Sequence, residues 1–183
     1  MTINYTYDFP SVSNLVPNRV VKFVLDNWQI SGITSLASGV PNNISLSLSD
    51  GADLVGGGDG VRANLIGDPR ISHDERGFLK MFDPTVFARP LKGDFGDIGS
   101  GIVRGPGINN WDVTLFKNFP VLSEQRSFQF RWEFYNLVNH TQFNTMNTTA
   151  TFNAAGVMTN TSLGQATSSR AARIMQVSLR FRF

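Results

Sequence analysis

SFQFRWEFYNL, residues 127–137, alternates without a slip. Phe128, Phe130, Trp132 and Phe134 fall on one side, and Gln129, Arg131, Glu133 and Tyr135 on the other. A period of two is the mark of a strand, whose side chains point alternately to opposite faces. The bulk of the apolar row decides between architectures. It holds no small residue into which a second stacked sheet could interdigitate. The chain's last residues, MQVSLRFRF (175–183), repeat the pattern, with Met175, Val177, Leu179, Phe181 and Phe183 against Gln176, Ser178, Arg180 and Arg182. On a protein in water, an oily terminal strand of this kind is an aggregation hazard.

Working outward, TINYTYDF (2–9), NWQISGITSL (27–36) and NNWDVTLFKN (109–118) alternate in the same way. Five strands of about 8–12 residues result, the length that crosses a bilayer at a tilt. Trp28 and Trp111, near strand ends, suit a membrane–water interface. The connections are unequal. Long polar stretches fill 37–108 and 138–170, whereas 119–124 (FPVLSE) is short and 10–26 intermediate. Within the last, PNRVVKFVLD (17–26) can form a short helix with Pro17 in its first turn. FDPTVF (82–87) reads as one helical turn capped by Asp83. With the C-terminus on the side of the short connections, both long ones fall on the opposite side, as in outer-membrane barrels.

Composition narrows the classes. Sixteen Lys and Arg against 14 Asp and Glu leave a net charge of +2, too small to argue for nucleic acid. The absence of cysteine removes disulfides and thiolate chemistry. No apolar run approaches the roughly 18 residues of a transmembrane helix, and MTINYTYDFP lacks the regions of a signal peptide.

Candidate sites in the long connections are weak. His73, Asp74 and Glu75 are sequence neighbours, which rarely converge on one point. Asp50, Asp53 and Asp59 lack the closing Glu of an EF-hand loop. GGGDG (56–60) is followed by no Lys-Ser/Thr, so it is no phosphate loop. His140 reads as a loop-packing residue, and the sequons at Asn4, Asn43, Asn139, Asn147 and Asn160 are those an Asn- and Thr-rich chain contains by chance. No catalytic constellation, metal set or cofactor site is readable, and an enzyme is not expected.

GPGINNWDVTLFKNFP (105–120), FQFRWEFYNLVNHTQFN (128–144) and SLGQATSSRAARIMQVSLRFRF (162–183) resemble the C-terminal barrel strands of Oar-like TonB-dependent outer-membrane receptors. NWQISGITSLASGVP (27–41) resembles a preceding strand of that family. The resemblance implies an all-β, antiparallel up-and-down meander spanning 1–183, an open part of a large barrel with long external loops. It implies outer-membrane localisation and import of a bulky nutrient. The implied partners are lipid, the remaining strands and plug, the barrel-assembly machinery, and the TonB complex through an N-terminal part. It also implies that Val177, Leu179, Phe181 and Phe183 form the assembly signal.

Arg131, Glu133, Arg180 and Arg182 are then expected to face a lumen as part of a generic polar wall, where they could also pair across strands or touch a plug; charge reversal at Arg131 tests plug contact. Since about eight strands are needed to close a barrel, an open sheet with ragged loops is expected of these residues alone. The alternatives are a soluble β-sandwich or lectin-like binding module using 40–108, and, more remotely, an enzyme on a β scaffold.

Overall fold

The computed structural model describes residues 1–57, 60–121 and 123–183. The chain forms two compact units: 1–37, 108–141 and 171–183 in the first, 38–107 and 142–170 in the second.

The first unit is a single antiparallel sheet of five strands in sequence order. They are β1 (Thr2–Asp8), β2 (Trp28–Ala37), β3 (Ile108–Val121), β4 (Ser123–Tyr135) and β5 (Ile174–Arg182). The sheet is open, with β1 and β5 as its edges. Among the described residues no second sheet stacks on it within this unit, so the sandwich alternative lacks its other layer. The meander expected from the alternation is therefore the fold.

The strands run further than the alternation marked. FPVLSE is mostly strand, because β3 continues to Val121 and β4 begins at Ser123. The register shifts between Pro120 and Val121. A proline has no N–H for the ladder and is tolerated where the pairing is irregular.

Between β1 and β2 the chain forms a 3-10 turn (Val12–Asn14) and helix α1 (Arg19–Leu25). Asn18 is the cap, its side-chain oxygen accepting the Val20 N–H at 2.8 Å. Pro17 therefore stands one residue before the cap rather than in the first turn, where its fixed φ still suits the entry.

Just past strand β4 stands Asn136, whose φ of 54° lies in the left-handed region that asparagine tolerates better than most residues. Its N–H donates to Asp112 Oδ1 at 2.9 Å, and its Nδ2 donates to the Ala171 carbonyl at 3.2 Å. Asn139, with φ also 54°, accepts the Arg173 N–H on its Oδ1 at 3.0 Å. These two asparagines hold the run-in to β5.

The second unit corrects the expectation of ragged loops. The two long connections share one apolar core, including Ile44, Phe82, Phe87, Val103, Phe152 and Leu163. Ser45–Leu48 of the first pairs in parallel with Thr149–Phe152 of the second. Around this lie short antiparallel pairs, 41–42 with 103–104, 64–65 with 87–88, and 143–146 with 166–169. Apolar residues too sparse to shape either connection alone bury each other. Gly39 lies so close to the backbone of Gly105 that a Cβ would collide with its carbonyl. The expected turn at 82–87 is present as a 3-10 helix (Pro84–Val86), with the Asp83 carboxylate accepting the Thr85 N–H at 3.0 Å.

Several carboxylates of this unit are held below their ordinary range. Asp50 accepts from Arg89 at 2.8 Å, and that hydrogen bond lowers its pKa. Asp68 is lowered by Arg70, Asp83 by Thr85 and Asp94 by Asn64. Each binds its proton more weakly folded than unfolded, so its stabilisation is complete above the ordinary value of 3.8 and is lost as pH falls through the folded value. Hydrogen-exchange protection of this unit is expected to hold steady from neutral pH down to the ordinary value of 3.8 and to decline below it. Asp50→Asn removes part of the decline.

Candidate functional site: a two-faced sheet and its terminal edge

Register sorts the side chains into faces. Tyr7, Ile30, Leu115, Trp132 and Val177 lie directly across from one another over all five strands. The next row holds Tyr5, Gly32, Val113, Phe134 and Met175. Beyond the first, towards the short connections, stand Trp28, Lys117, Phe130 and Leu179, then Phe119, Phe128 and Phe181. Tyr5 covers Gly32 so closely that a Cβ there would meet its ring, so the aromatic fills the gap the glycine leaves.

The opposite face is polar. One row reads Thr6, Ser31, Thr114, Glu133 and Gln176, and another Asp8, Gln29, Phe116, Arg131 and Ser178. The alternation seen strand by strand thus becomes two continuous surfaces, one oily and one hydrophilic.

The apolar face is largely uncovered. Val177 is 61% and Leu179 65% exposed, and Phe128, Trp132, Met175 and Phe181 are exposed too. Contiguous apolar surface on this scale marks contact with something other than water.

The residues singled out on β5 fall where the alternation put them. Val177, Leu179 and Phe181 lie in the apolar rows opposite Trp132, Phe130 and Phe128. Phe181 packs its ring against Phe128 at 4.8 Å between centroids, and Phe183 stacks on Phe181 at 6.0 Å. Phe183 is 97% exposed. β5 pairs with β4 along one edge only. Its other edge is a row of backbone donors and acceptors open to a further strand.

The charges lie on the polar face, but their pairing differs from the cross-strand expectation. Arg131 and Glu133 meet along their own strand at 3.0 Å. Directly across from Arg131 are Phe116, over whose ring the guanidinium sits at 4.7 Å, and Ser178. Arg180 lies opposite Gln129, and Arg182 opposite Ser127, with its Nη2 3.5 Å from Gln129 Oε1. Gln129 and Ser127 are uncharged, so no acid on β4 stands directly across from Arg180 or Arg182. Glu133 instead faces Gln176.

One buried charge was not marked by the alternation. Lys117 continues the apolar row of Trp111, Val113 and Leu115, and only 2% of it is exposed. Its ammonium sits 5.0 Å from the Trp28 ring centroid and 4.9 Å from that of Phe119, and donates to the Asp26 carbonyl. Its place two residues past Leu115 gives its face, and its burial depends on the segment that ends at Asp26. Asp26 caps α1 at its C-terminal end, and its carboxylate accepts from the Ser13 hydroxyl and N–H, which hold its pKa below the usual range.

The weaker candidates stay apart. His73–Glu75 is one exposed 3-10 turn, with His73 Nδ1 3.7 Å from Asp74 Oδ1. Among the described residues, no group of three or more His, Cys, Asp or Glu could hold a metal. Asp53 accepts the N–H groups of Val55 and Gly56, a turn role, while Asp59 and part of GGGDG lie outside the described residues. His140 is partly buried. No described helix is long and apolar enough to cross a membrane, which leaves strands unaddressed.

Among known proteins, the family model described as "outer membrane beta barrel domain" matches residues 1–176. No curated protein and no solved structure gives a match.

Proposed function

We propose that this chain, which belongs to the family of outer membrane β-barrel domains, is wall and loops of a TonB-dependent, Oar-like transporter that imports a bulky nutrient. The chain resides in the outer membrane. There, each strand's backbone must be hydrogen-bonded on both sides, so the open edges of β1 and β5 call for further strands. The apolar rows contact acyl chains, and the polar rows line the wet interior beside a plug. The second unit forms the external loops, and the short connections face the periplasm.

The observation that carries this reading is the division of five strands into a largely uncovered oily face and a face that bears the charges. A TonB-powered transporter, unlike a passive pore, draws on the inner-membrane proton gradient. Cells producing the full-length protein are expected to take up its nutrient only while that gradient stands. Uptake undiminished by a protonophore contradicts the transporter assignment and leaves a passive barrel.

Val177, Leu179, Phe181 and Phe183 serve as the assembly signal in this reading. A pairing-competent edge strand ending in exposed aromatics is suited to adding to another sheet. Removing Phe183 is expected to cut the amount of folded protein reaching the outer membrane while leaving folding in detergent intact. Equal loss in both settings points to a packing role instead, and no loss in either removes the signal.

A further inference from the structure

The segment between β1 and β2 is an unexplained expense in water. Helix α1 has seven residues, none of them buried. Helices this short are marginal unless an apolar face is packed. Val20, Phe23 and Val24 stand at spacings of three and four, so they share a face; Val20 is 68% and Phe23 57% exposed. Leu15, Val16 and Leu25 are exposed as well. Arg19 and Lys22, three apart, form an exposed basic edge flanking that face. The segment's one acid, Asp26, is buried on Ser13.

The segment lies against the apolar face of the sheet. The Phe23 ring packs on Phe119 at 5.1 Å, and Trp28 Nε1 donates to the Val24 carbonyl at 2.9 Å. An apolar groove of about 340 Å³ runs between them, lined by Phe9, Pro10, Val12, Leu25, Trp28 and Leu115. Lys117 is enclosed at the end of the segment, where the Asp26 carbonyl and two aromatic rings meet a cation that would otherwise stand bare in an oily row.

We propose that residues 12–25 form a membrane-interface anchor, with Val20, Phe23 and Val24 in the acyl region and Arg19 and Lys22 on anionic phospholipid phosphates. The inference rests on the reading that the sheet's apolar rows face lipid. Continuity with those rows makes lipid the occupant, and the exposed charge, entirely basic, matches anionic headgroups. The anchor also screens Lys117, so the helix serves the wall as well as the surface.

The chain has no cysteine, so a single one can be placed at will. Val20→Cys and Leu179→Cys, each carrying an environment-sensitive fluorophore, are reconstituted as full chains in vesicles of phosphatidylethanolamine and phosphatidylglycerol. The label at 20 is expected to be quenched by lipids brominated high on the acyl chain, about 5–10 Å below the headgroup boundary, and protected from aqueous iodide. Brominated phosphatidylglycerol is expected to quench it more than brominated phosphatidylcholine at equal mole fraction, a preference lost in R19Q/K22Q.

Quenching by iodide, or protection from both quenchers by covering protein, overturns the anchor. So does equal quenching by the two lipids in the unaltered helix. The label at 179 separates the readings. If it meets lipid and the label at 20 does not, only the anchor falls; if it does not, the lipid-facing sheet falls and the anchor with it.

Discussion

Val177→Arg is expected to cost about 2–4 kcal/mol of folding stability in a bilayer, the range for an arginine on the lipid face near the midplane. Val177 lies midway along β5, at the end of the row that begins with Tyr7. It is 61% exposed, so little packing is lost when it is replaced. In water the same change would fall among surface substitutions, usually within about 0.5 kcal/mol. The difference therefore reports the solvent on that face.

Gln176→Arg is the matched control. Gln176 points to the other face, directly opposite Glu133, and a new cross-strand ion pair there is expected to be neutral or slightly stabilising. Denaturant titration of both variants in vesicles checks the pair. Equal small effects would mean that both faces meet water.

Asn136→Leu is expected to destabilise the sheet through two separable effects. Leucine at a φ of 54° costs about 1–2 kcal/mol in the left-handed region. The Ala171 carbonyl also loses the Asn136 amide, a bond worth about 0.5–1.5 kcal/mol net. Asn136→Gly accepts the backbone angle and loses only the bond, so it should fall between the natural chain and the leucine variant. The N–H to Asp112 survives in both, because it belongs to the backbone. Amide exchange on β5 is the sensitive readout, since Asn136 and Asn139 fasten residues 171 and 173 ahead of it. Equal effects of leucine and glycine would show that the backbone angle carries no cost.

What could be read in advance follows from which physics is local. Each of the five strands carries its own period of two, so Phe128 and Val177 could be assigned to a face without knowing their neighbours. Asp83 with Pro84 is a short-range signal for the same reason, and Pro17 marked a helix start, though the cap proved to be Asn18, one residue later. The second unit was not legible. Its core joins Ile44 to Phe152 and Phe82 to Leu163 across long separations, and its parallel pairing has no local mark. Charge pairing was not legible because it needs register. Only the alignment of β4 on β5 shows that Arg131 faces Ser178 and that Glu133 is left to pair along its own strand. Lys117 was missed because a lysine reads as polar wherever it stands, while its burial depends on a helix 91 residues away in sequence at Asp26. Asn136 and Asn139 did carry a signal, as asparagines that tolerate positive φ just past a strand, though not the partners they hold.

The division of the sheet into two faces bears on everything above, and a nitroxide scan of residues 175–182 in bilayers tests it most directly. Collision with dissolved oxygen, which concentrates among acyl chains, should peak at Met175, Val177, Leu179 and Phe181. Collision with a water-soluble nickel chelate should peak at Gln176, Ser178, Arg180 and Arg182. Two accessibilities alternating out of phase with a period of two are the predicted result. Nickel accessibility equal on both rows, or both rows shielded from both reagents, would contradict it.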